Sequence, residues 1–190
     1  EVGEHLRAKS GHGSGRRERL ALGVIGAGAE AEADLAKVRV VRLRGQHDPV
    51  EPGRAAGMGA FREIVTTTPG LCVTGLAPAR VMERFGLERT PILWITNISF
   101  DDRTVRPQTL DFELVHTVLK FLRENPGTAV LLDDLDFLAS VNGFDAVARF
   151  LKRIANQASA SNGTVIVTAG QGSFTPEQAA VLGGCVDHVL

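Results

Sequence analysis

From about residue 60 onward, short and nearly continuous apolar runs alternate with longer stretches in which apolar residues return every three or four positions. Residues 71–74 form an apolar run set off by Gly70 and Gly75. Residues 91–98 (Pro-Ile-Leu-Trp-Ile-Thr-Asn-Ile), 128–132 and 164–168 (Thr-Val-Ile-Val-Thr) are of the same kind. Such runs predict strands covered on both faces. Between them, Leu110, Leu114, Val115, Val118, Leu119 and Leu122 lie at helical spacing, and Asn125-Pro126-Gly127 ends that helix. A second long amphipathic helix follows Asn142-Gly143, with Phe144, Val147, Ala148, Leu151, Ile154, Ala155 and Ala158 on one face. Pro78 suits a first helical turn that puts Val81, Met82 and Phe85 on one side and stops at Gly86. Pro176 opens a short helix in the same way, and 185–190 is a candidate last strand.

Before residue 60 the periodicity is poor. A Gly/Ser tract at 10–15 reads as linker, 20–25 as a modest strand or helix, and the Ala/Glu segment 29–37 has helical composition. Residues 38–43 are β-branched and predict a strand, and 46–59, with its prolines and glycines, predicts a loop. The expected organisation is a poorly structured segment at 1–35 and an α/β domain at 36–190. Strands alternating with helices imply right-handed crossovers, hence three layers: a mostly parallel sheet with helices on both faces. Strand order stays open.

Composition narrows the function classes. The 190 residues are 44% hydrophobic and 23% charged with a formal net charge of −1, which is globular and lacks the basic surplus of a nucleic-acid binder. No apolar run reaches the roughly 20 residues of a membrane span. Two cysteines, Cys72 and Cys185, both in apolar stretches, fit a reducing, cytoplasmic setting better than a disulfide framework. A start at Glu1 rather than Met is what a piece of a longer protein would show.

In open α/β sheets ligands bind beyond the carboxyl ends of the strands, so the candidate binding residues are Asn97, Asp133, Asp134 and Thr168. The run Val130-Leu131-Leu132-Asp133-Asp134 has the form by which P-loop NTPases place an acid near Mg²⁺, but an Asp after a strand is also an ordinary turn or helix cap. Asp136 reads as the start of a turn at 137–140. After the strand at 38–43 the chain reads Gly53-Arg54-Ala55-Ala56-Gly57-Met58-Gly59-Ala60, with neither the Lys nor the Ser/Thr of a phosphate loop. That argues against ATP hydrolysis. Gly26-Ala27-Gly28-Ala29-Glu30-Ala31 has the letters of a dinucleotide fingerprint, but the apolar run before it is short and no acid ends the next strand. The five histidines have no metal spacing with the cysteines, His116 reads as partly buried, Cys72 as a buried apolar residue and Trp94 as core.

Several motifs in order carry a resemblance: Gly70-Leu71-Cys72-Val73-Thr74, Ala77-Pro78, Arg84-Phe85-Gly86-Leu87, Thr90 to Thr96, Phe121 to Gly127, Val130 to Leu138, and Asn142-Gly143-Phe144. Across residues 60–170 the chain resembles an uncharacterised, largely archaeal family, domain of unknown function DUF835. It is more distantly similar to RecA/KaiC-type ATPase cores, which run from a phosphate loop to a Gly-Leu-x-Val-Thr strand, an acid-ended strand and a Thr-ended strand. Two positions depart from the expected family pattern: Gly75 stands where a basic residue is expected, and Asp134 where a Gly is expected. The resemblance implies a RecA-like module without a working phosphate loop and without catalysis, serving signalling or scaffolding through a protein partner or its own copies. The alternatives are a regulatory domain that binds a nucleotide with Mg²⁺, or another anion, at the strand ends, and an enzyme of unrecognised type.

Overall fold

The computed structural model describes residues 38–40, 52–98, 101–170, 172–185 and 188–189. The chain divides into two units, 1–33 and 34–190, and every described residue lies in the second. The expected linker, the Ala/Glu segment and the dinucleotide-like glycines lie outside the described residues.

Among the described residues seven strands form one sheet: β1 (Val38–Val40), β2 (Gly70–Thr74), β3 (Ile92–Ile95), β4 (Thr104–Val105), β5 (Ala129–Leu132), β6 (Thr164–Val167) and β7 (His188–Val189). Their order is β4-β3-β2-β5-β6-β1-β7, and every pairing is parallel. Parallel neighbours need crossovers, and the helices α1 (Pro52–Ile64), α2 (Pro78–Phe85), α3 (Val115–Glu124), α4 (Leu135–Asn142), α5 (Phe144–Ala160) and α6 (Pro176–Gly183) supply them, except between β3 and β4, where no described helix intervenes. The fold is α/β, as the alternation of apolar runs predicts.

Side chains alternate across the sheet and feed two apolar layers. Leu71, Val73, Val130, Leu132, Val165 and Val167 join the larger core, with Val118 and Leu122 of α3 and Phe150, Leu151 and Ile154 of α5. On the other face Cys72, Leu131 and Ile166 meet Met58 and Phe61 of α1 and Val81 of α2 in a smaller core. Each fully buried aliphatic or aromatic side chain contributes about 1.5–3 kcal/mol, so the α3/α5 face carries most of the apolar stabilisation.

Several local expectations need correction. The loop expected at 46–59 is helical from Pro52 on. Proline is tolerated in a first turn, and Met58 and Phe61, three apart, bury one face of α1. The glycines of α1 had argued for a loop, but Gly57 is needed for close packing: a Cβ there would fall on Cγ2 of Thr168. The helix expected from Leu110 is α-helical only from Val115. A 3₁₀ turn (Pro107–Thr109) and a π-helical turn (Leu110–Leu114) precede it, burying Leu110 and Leu114 and leaving Phe112 84% exposed. Asp136 lies in the first turn of α4, so 137–140 is helix rather than turn. Trp94 is half-buried, its Nε1 donating to the carbonyl oxygen of Gly75 at 3.2 Å, and His116 is exposed. Met82 is 40% exposed, since in α2 it is Val81 that faces the sheet. The two-residue strand β4 carries no sequence signal.

Gly143 separates α4 from α5 at φ 82° and ψ 153°, a region nearly restricted to glycine. The short helix expected at Pro176 is α6, and Thr175 caps it in a reciprocal capping box with Gln178.

A paired substitution checks the role of Gly57. Gly59→Ala, with nothing within 4 Å of its new Cβ, should stabilise the domain by about 0.5–1 kcal/mol through helix propensity. Gly57→Ala should instead destabilise it by about 1–3 kcal/mol through overpacking against Thr168. Urea unfolding measures both, and equal effects at the two sites would remove the close-packing account.

Candidate functional site at the strand carboxyl ends

Register builds the site. Val73 of β2 and Val167 of β6 both pair with Leu132 of β5. The residues that follow, Thr74, Asp133 and Thr168, therefore leave the sheet side by side. Asp133 is only 1% exposed. A buried carboxylate must be paired or hydrogen-bonded, because desolvation strongly disfavours the bare charge.

Its partners are in place. Thr74 Oγ1 donates to Asp133 Oδ2 at 2.7 Å, and Thr168 Oγ1 donates to Asp133 Oδ1 at 2.5 Å. Each hydroxyl also accepts a backbone N–H, from Leu76 at 3.1 Å and from Asp134 at 3.4 Å, so donor and acceptor are both used. The fourth member comes from α1. Arg54 Nε lies 3.2 Å from Asp133 Oδ1 and 3.1 Å from Oδ2, while Arg54 Nη2 pairs with Asp134 Oδ1. One guanidinium thus spans two consecutive carboxylates, with its own side chain 21% exposed and that of Asp134 16% exposed.

The backbone at Asp134 is set for this. Its φ of 66° and ψ of 44° are left-handed, a conformation that favours glycine and that Asp tolerates better than most residues. A glycine expected at this position therefore has a physical reason, and Asp there exchanges backbone ease for an ion pair. Gly75 faces it, and a Cβ on Gly75 would come within 3.1 Å of Asp134 Oδ2. Gly75 and Asp134 thus sit against each other, and the positive charge beside Asp134 comes from Arg54.

Asp136 has a different task. Its Oδ1 accepts from the Gly170 N–H and its Oδ2 from Ser173 Oγ, both at 3.2 Å, tying the segment after β6 to α4. Asn97 does not join the cluster. It is exposed, two residues beyond the end of β3. Of the four residues proposed from sequence, the structure brings together Asp133, Asp134 and Thr168, and it adds Thr74 and Arg54. Thr74 was legible as the last residue of an apolar run, whereas the pairing of Arg54 with an acid 79 residues away carries no local signal.

Cys72 lies one face away, fully buried in β2. Burial, with a smaller contribution from the charge of Asp133, pushes its thiol pKa up, so it stays a protonated, inert thiol.

A nucleotide with Mg²⁺ at these strand ends is one of the alternatives, and the donor set does not fit one. Both oxygens of Asp133 are engaged by threonine hydroxyls and Arg54, and a cationic side chain already stands against both acids. Among the described residues no group of three or more His, Cys, Asp or Glu is arranged to hold a metal ion.

Residues 53–184 match a protein family of unknown function, DUF835, over well more than half of the chain. The chain belongs to the DUF835 family. No curated protein matches it at a significant level. Arg54, Thr74, Asp133, Asp134 and Thr168 all fall inside the segment that defines its DUF835 membership. Among the described residues no helix is long and apolar enough to cross a membrane.

The two acids should respond differently to neutralisation. Asp133→Asn removes the charge from a site with no solvent to compensate, and should destabilise the domain by about 3 kcal/mol. Asp134→Gly loses an ion pair but relieves the left-handed backbone, so the net change should stay within about 1 kcal/mol. Chemical denaturation of both variants checks the ranking, and a larger loss at Asp134 would reverse this assignment of roles.

Proposed function

We propose that this DUF835 domain is a non-catalytic, RecA-like module that works in signalling or scaffolding through protein–protein contacts, including contacts between its own copies. The observation that carries the reading is the Arg54 guanidinium seated across Asp133 and Asp134. A RecA-type ATPase needs the strand-end acid free to act on a hydrated cation and a phosphate-loop lysine to hold the nucleotide. Here the acid is neutralised from within, and 53–60 offers no lysine.

The order of parts supports the RecA-like side of the reading. A Gly-Leu-x-Val-Thr strand, an acid-ended strand and a Thr-ended strand follow one another in sequence as β2, β5 and β6, and they are neighbours in the sheet. Protein contact is favoured by exposed apolar side chains. Phe137 and Val141, one turn apart on α4, are both exposed, and Phe112 projects from the π-helical turn. The free, buried Cys72 accords with a cytoplasmic setting.

Thermal unfolding with ATP, ADP, GTP and cyclic dinucleotides, with and without Mg²⁺, tests the non-catalytic half. A ligand at a hundred times its Kd would add about 2.7 kcal/mol, which is several degrees in Tm. The expected result is no shift and no ATP turnover. A Mg²⁺-dependent shift, or turnover lost in Asp133→Asn, would overturn the reading in favour of a nucleotide site. Sedimentation velocity across a concentration series tests self-association. Association weakened by Phe137→Asp supports contact between copies, and a monomer at every concentration removes it.

A further inference from the structure

α1 is held to the rest of the domain by few anchors. Three of its thirteen residues, Gly53, Gly57 and Gly59, are glycines, which makes it a poor helix by propensity. Among its described side chains only Met58 and Phe61 are fully buried, both in the smaller of the two cores, against which Ala56, Ala60 and Ile64 pack while partly exposed. Its ionic tie to the strand ends is Arg54, reaching Asp133 and Asp134. The opposite face, with α3 and α5 over the larger core, needs none of these contacts.

We propose that α1 is a detachable layer latched by Arg54, docking on and lifting from the sheet as a unit while the α3/α5 side stays folded. The strand ends are built to survive its departure. Asp133 keeps the two hydroxyl donors of Thr74 and Thr168, which belong to the sheet and not to α1. Asp134 is already one-sixth exposed, so without its partner its carboxylate turns to water. Elements with few buried apolar contacts are the ones that open locally below the global unfolding free energy. Cys72 shares the cluster of Met58 and Phe61, so lifting α1 uncovers its thiol and gives the opening a chemical reporter. The latch rests on geometry alone: nucleotide turnover would overturn the non-catalytic function without touching it.

Hydrogen exchange read by mass spectrometry, together with maleimide labelling of Cys72, tests it on the 190-residue chain carrying Cys185→Ser, which removes the second, half-buried thiol. Peptides across 52–64 and the Cys72 thiol should open together, with a weaker urea dependence than peptides of α5. Arg54→Gln should speed both by about ten-fold or more and leave α5 exchange unchanged, with Arg54→Lys between the two. The proposal is overturned if α1 and Cys72 open only at the rate and urea dependence of α5, or if Arg54→Gln speeds α5 as much as α1. Should Arg54→Gln fail to fold, the urea dependence of the unsubstituted protein and of Arg54→Lys decides alone.

Discussion

A carboxylate with almost no exposed surface sits at the end of a strand buried on both faces, and much of the local geometry follows from having to satisfy it. Asp133 needs donors for both oxygens, and the parallel register supplies them by delivering a threonine at the same level from each neighbouring strand. While α1 covers the site, hydroxyls alone would leave a net charge in a low-dielectric setting, so a cation must approach. Arg54 does so from α1, and that approach requires the helix to lie close against β6, which Gly57 allows. The same guanidinium reaches Asp134 because that residue turns left-handed, and Gly75 leaves room for its carboxylate. Six positions from three parts of the sequence, Arg54 with Gly57, Thr74 with Gly75, and Asp134 and Thr168 further on, are thus tied to one desolvated charge.

The arrangement also decides what the strand ends can do chemically. An acid at this place is a usual means of recruiting a cation or orienting water, and both uses require an oxygen lone pair open to a ligand. Here the lone pairs point at groups of the chain itself. The cluster is therefore better suited to holding elements together than to binding and releasing a ligand. Its whole membership lies within the DUF835 match at 53–184.

What the sequence revealed, and what it concealed, follows from the range of the interactions involved. Continuous apolar runs announced β2, β3, β5 and β6, because a strand covered on both faces has no polar side to break the run. The 3.6-residue period announced α5, and Thr175-Pro176 announced the start of α6. The glycines of α1 pointed the wrong way, since a glycine required by a neighbouring strand looks in sequence like a glycine required by a turn. The π-helical turn before α3 preserved enough of the helical spacing to hide itself, and β4 was too short to register. At the site, strand-end position identified Asp133, Asp134 and Thr168 but also suggested Asn97, because apolar character continues to Ile98 while the strand itself stops at Ile95. Arg54 was legible only as a basic residue in a glycine-rich stretch, its partner lying 79 residues on.

The two faces of the sheet are unequal, and that inequality joins the electrostatics of the strand ends to the docking of a helix. The α3/α5 layer is held by a broad apolar core that is indifferent to the state of any carboxylate. The α1 layer rests on Met58 and Phe61, on the partly buried Ala56, Ala60 and Ile64, and on one guanidinium, so its position and the pairing of Arg54 with Asp133 and Asp134 belong to a single equilibrium. Linkage makes the relation reciprocal: whatever competes with Arg54 for those carboxylates loosens α1, and whatever holds α1 down tightens the grip of Arg54 on them. A contact made on the outer surface of α1, distant from the acids, would therefore be felt at the strand ends. This gives the domain a physical means of passing information between two parts of its surface.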